Sequence, residues 1–136
     1  MSALTEYFCT PLREPRSAWS VINWWESRRA VYNLSVGAAG LVSLGALALF
    51  ASLPPHPAHV VIPWEAIPVY ALLANLGYSL GPATDLVIRR RWGDQYAVVG
   101  PALFRYGFVF SVGLTLLPAP LAALSWLVRI VISVAG

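Results

Sequence analysis

Charge is what this sequence has least of. Asp, Glu and Arg make up 11% of its 136 residues, where soluble domains carry about a quarter. That is too thin a polar supply to coat a water-soluble fold of this size. Lysine is absent, which excludes Ser/Lys chemistry; the all-arginine choice of base reads as the bias of a GC-rich bacterial genome. Cys9 is the only cysteine, which excludes an intramolecular disulfide and a Cys-x-x-Cys site. His56 and His59 are the only histidines, and neither lies in an apolar run, so a bis-His haem between helices is excluded. Their H-x-x-H spacing is broken by Pro57 and lacks a convincing third ligand beyond Glu65, so neither a metal nor any other cofactor is expected. There is no Gly-x-Ser-x-Gly, no P-loop, no dinucleotide fingerprint and no His-Glu-x-x-His. The reading therefore leans away from an enzyme. A signal peptide is not expected, because the first apolar block begins near Ala30 and is too long.

What the sequence has is apolar length. Hydrophobic residues are 58% of the chain and come in blocks. Blocks of this length match a hydrocarbon core of about 30 Å rather than the stripe of a surface helix. The pattern predicts an all-α integral membrane four-helix bundle. Its expected spans are about 30–53, 66–88, 96–117 and 121–135. Pro54-Pro55, the Arg89 loop and Pro118-Ala119-Pro120 supply the turns. Gly77, Gly81 and Pro82 predict a kink or local unwinding in the second span. Ser35, Ala39 and Ser43 repeat at i+4 on the first, a spacing that lets helix backbones approach closely. That stripe serves either the chain's own bundle or a homo-oligomer contact. The fourth block is short and contains Arg129, so a re-entrant or surface helix is its alternative.

The nine Arg residues set an orientation. Four precede the first span, three follow the second, and the first and last turns have none. This pattern places both termini and the Arg89 loop in the cytoplasm of a bacterial inner membrane. It also argues against nucleic acid as a partner, because the cations flank apolar blocks instead of forming one face. Residues 1–29 form a cytoplasmic arm, and residues 30–136 the membrane domain. In the arm, Ser17 is placed to cap a helix through Glu26. Trp19, Ile22 and Trp25 share a face, which predicts an amphipathic helix on the inner leaflet.

Asp85 and Arg105 lie at similar depth in antiparallel neighbours, and a charge there needs a partner, so an ion pair between them is expected. Asn75, Asn33, Tyr32 and Arg129 are placed to reach the same level. This set reads either as a polar knot fixing helix pairing or as a ligand or ion site. Arg28, Arg29, Arg89, Arg90 and Arg91 are candidates to hold lipid phosphate.

The segments from Trp24 to Asn33, Ala74 to Pro82 and Phe110 to Pro118 resemble a loosely defined group of small four-helix bacterial membrane proteins. The resemblance implies the architecture and no particular activity. The expected role is a small accessory or structural subunit of a larger membrane complex. Its partners are membrane lipids and either other membrane subunits or copies of itself. The rivals are a homo-oligomeric channel or small transporter, and an inner-leaflet enzyme or sensor that binds lipid headgroups.

Overall fold

The computed structural model describes residues 6, 7, 10, 17–57, 61, 62, 64–93 and 99–135. The described chain is all-α, without strands. Helix α1 is Ala18–Ser52, α2 is Ala66–Trp92, α3 is Val99–Leu116 and α4 is Pro118–Ala135.

Ser17 starts α1 as expected: its hydroxyl accepts the Ser20 N–H at 3.2 Å. The helix then runs unbroken to Ser52, and Leu53, held extended ahead of Pro54, ends it. The stretch 18–29 is therefore not a separate helix lying on a leaflet. Nothing in 26–33 breaks the helical path, and the stretch buries Val21 and Trp25 against the other helices. One buried line, Val21, Trp25, Arg28, Tyr32, Val36, Ala39 and Ser43, follows the helical period down its whole length.

Helix α2 is continuous too. Pro82 is accommodated inside it, and the expected unwinding at 80–83 does not occur. Gly93, at φ 80°, closes it by donating its N–H to the Arg89 carbonyl at 2.9 Å. α2 runs antiparallel to α1: Trp25 meets Asp85, Arg29 meets Ser79 and Asn75, and Tyr32 meets Ala74.

The largest departure from the sequence reading is at Pro118. The expected turn does not reverse the chain. A single residue, Leu117, separates α3 from α4. Reversal between antiparallel helices takes about two to eight residues. Here the Leu117 N–H bonds back to Leu114 (3.3 Å) and the Leu121 N–H to Leu117 (3.4 Å), which carries the helical path past the proline. Residues 99–135 thus form one bent helix. It runs parallel to α1, with Phe104 beside Trp25, Ser111 beside Tyr32, Thr115 beside Ser43 and Trp126 beside Phe50. The α4 segment packs on α1 and not back on α3. The end of α4 therefore lies at the opposite end of the bundle from Ser17 and Arg89. This replaces the returning fourth helix, with its C-terminus beside the N-terminal arm.

Among the described residues, two helices are long and apolar enough to cross a membrane: Ala18–Ser52 and the continuous Val99–Ala135.

Candidate functional site

Among the described residues the most enclosed polar group is Asp85, which is 1% exposed. It projects from α2 into the junction of all three long helices. One carboxylate oxygen accepts from Arg89 Nε at 2.8 Å, a partner one helical turn away. The other accepts from the Trp25 indole N–H at 3.1 Å. Two glycines make the arrangement possible. A Cβ at Gly100, in the first turn of α3, would lie 2.6 Å from Asp85 Oδ2, and one at Gly81 would overlap the Trp25 ring. Aromatic rings wrap this knot. Trp25 meets Trp24, Tyr78 and Phe104 edge-on, with centroids 5.5 to 5.9 Å apart. The Tyr78 hydroxyl donates to the Trp25 carbonyl at 2.5 Å.

The expected Asp85–Arg105 ion pair is not formed. Phe104 turns inward and is 2% exposed, which swings its neighbour Arg105 to the outer face of α3. There the guanidinium lies over the Tyr106 ring at 5.5 Å. Arg89 takes the carboxylate instead. Of the other expected members, Tyr32 is buried and donates to the Ala74 carbonyl at 3.1 Å, with Ser111 Oγ at 3.0 Å. Asn75 accepts from Arg29 at 3.3 Å. Asn33 is exposed on α1. Arg129 lies at the far end, where it donates to the carbonyls of His56 and Phe50. The structure thus gathers Asp85, Tyr32 and Asn75 near one end and leaves Asn33, Arg105 and Arg129 out of the cluster.

The cations assigned to lipid phosphate are mostly occupied within the chain. Arg28 is buried, lies 3.8 Å over the Trp24 ring, and donates to the carbonyls of Trp24 and Tyr7. Arg29 pairs with Glu26 at 2.7 Å and covers the Tyr78 ring at 4.9 Å. Arg89 holds Asp85. Arg90 and Arg91 are exposed at the end of α2. His56 is exposed beyond α1, while His59, the other half of the H-x-x-H, lies outside the described residues.

Towards the middle of the bundle, hydroxyls join the helices. Ser43 donates to the Thr115 carbonyl at 2.6 Å, Thr115 donates to Ser111 O at 2.6 Å, and Tyr70 bonds Thr115 Oγ1 at 2.5 Å. The small-residue stripe therefore serves the chain's own bundle, with Gly40 3.8 Å from the Thr115 methyl.

Two grooves open on the outside. One, of about 240 Å³, lies between α2 and α3 over Trp25, Tyr32 and Phe104. The other, of about 480 Å³, lies between α1 and the junction of α3 and α4, lined by Leu47 and Phe50 on one side and Leu117 and Pro118 on the other, with Arg129 at its edge. Sequence reasoning missed Trp25, Arg89, Gly81 and Gly100 as parts of the site. The i, i+4 spacing of Asp85 and Arg89 was the available signal; the two glycines become meaningful only once the helix neighbours are known.

Among known proteins, no family model, no curated protein and no solved structure matches this chain.

Proposed function

We propose that this chain is a small multi-pass subunit of a membrane complex, and that its role is structural. The observation that carries the reading is an inversion of the usual surface. Polar side chains from three helices bond one another inside, while leucines, valines and aromatics cover the outside. Such a surface suits lipid and neighbouring apolar helices. In this reading α1, α2 and residues 99–135 each cross the bilayer once. The end bearing Arg28, Arg29 and Arg89–Arg91 faces the cytoplasm of a bacterial inner membrane, and α4 ends on the other side.

A conduction path is the weaker reading. Asp85, Tyr32 and Thr115 face one another's helices through closed hydrogen bonds, not an open lumen. Native mass spectrometry of the tagged protein, extracted mildly from its own membrane, tests the proposal. Stoichiometric foreign subunits are the expected result. Recovery only as copies of itself would overturn the accessory role.

A further inference from the structure

The groove between α2 and α3 has no counterpart in the packing of the bundle. Gly77 and Gly107 leave its walls without side chains, and a Cβ built at either meets no atom within 4 Å. These two glycines therefore differ from Gly81 and Gly100, whose missing side chains make room for Trp25 and Asp85. The space beside them is open, and its floor is aromatic. It extends from the level of Thr84 and Leu103 to that of Ser111, about 12 Å along the helix axis. Tyr106 forms one rim, and the exposed Arg105 lies over that ring. A cation thus stands on the outer face of α3 beside the Tyr106 rim of an apolar slot that runs along the helices.

We propose that this groove holds one acyl chain of an anionic phospholipid, with the lipid phosphate on Arg105. The inference rests on the reading above, that the chain spans a bilayer with this end at a leaflet surface. In that frame the slot begins at headgroup depth and points along the acyl chains. Its floor receives methylenes, and the guanidinium receives phosphate through charge-assisted hydrogen bonds. A partner helix is a poor occupant, because a helix about 10 Å across cannot enter a groove of this volume.

The test is native mass spectrometry of the full chain in non-ionic detergent, supplied with phosphatidylglycerol or phosphatidylcholine carrying the same acyl chains. Wild type should retain one lipid and favour phosphatidylglycerol about fivefold. Gly107→Leu fills the slot and should lose both lipids. Arg105→Gln should bind both without preference. Gly113→Leu, on the same helix with equally open surroundings but outside the groove, should behave as wild type. Equal phosphatidylglycerol occupancy in wild type and Gly107→Leu overturns the lipid site. So does loss of a foreign subunit from Gly107→Leu with lipid unchanged. Carbonate extraction separates the two readings: release of wild type into the soluble fraction overturns membrane insertion itself, whereas firm retention with no lipid difference overturns only this site.

Discussion

Asp85 turns one oxygen to each of two side-chain donors on different helices. Removing the carboxylate takes away the acceptor of the Trp25 indole and the charged partner of Arg89 Nε at once. Asp85→Ala should cost about 3 kcal/mol in detergent-unfolding experiments, and Asp85→Asn less, because an amide oxygen still accepts from Trp25. The glycines give a sharper contrast. Gly100→Ala places a methyl against Asp85 and should destabilise by about 1–3 kcal/mol. Gly113→Ala meets no atom and should stabilise by up to about 1 kcal/mol through helix propensity. Parallel thermal unfolding of the two variants in micelles checks the sign. Ser43→Ala, which loses one inter-helix bond, should cost only about 0.6 kcal/mol in the same assay. The need of Asp85 for a partner was legible in the sequence. The i, i+4 spacing offered Arg89 as that partner, but that Arg105 would not compete was not legible, because it depends on the rotation of α3 that buries Phe104.

At the scale of the elements, capping and proline located the ends of α1, Ser17 and Leu53 before Pro54-Pro55, whereas α2 runs past the expected end at 88 and takes Arg89, Arg90 and Arg91, read as a loop, into its last turn before Gly93 closes it. Elsewhere the meaning of proline was misplaced. Pro82 and Pro118 both read as interruptions, yet each sits within a helical path. Lost N–H groups are tolerated where neighbouring helices support the chain, and the cost shows as a bend instead of a reversal. The bend at Leu117-Pro118 is what brings Trp126 to the Pro54 carbonyl (2.9 Å) and Arg129 to that of His56 (2.8 Å). Pro118→Ala restores a donor to the Leu114 carbonyl and should straighten the helix. Spin labels at positions 47 and 125, across the α1–α4 groove, should then move apart relative to the parent pair. An unchanged separation would show that packing against α1, and not the proline, makes the bend.

For the whole molecule, the balance of surfaces supports the proposed lipid surroundings. Seven buried hydrophobic residues form the core, while thirty large hydrophobics are exposed among the described residues, and α4 buries none. A fold with so thin a core would be marginal in water, and the same surface is matched to lipid. The charges agree with this. Residues 30–52 of α1 and 106–128 of the bent helix are each free of Asp, Glu and Arg over about 35 Å, enough to cross a hydrocarbon core. In the proposed reading Arg29 and Arg105 mark one boundary and Arg129 the other. Hydropathy made the long apolar helices legible from the sequence, whereas the direction of the chain after Leu117 was not. The most direct test is cysteine accessibility in intact cells, with Cys9 replaced and single cysteines placed at positions 90 and 135. A membrane-impermeant maleimide should label position 135 from outside and reach position 90 only after permeabilisation. Labelling of both positions only after permeabilisation would put the two ends on one side and contradict the three-crossing bundle.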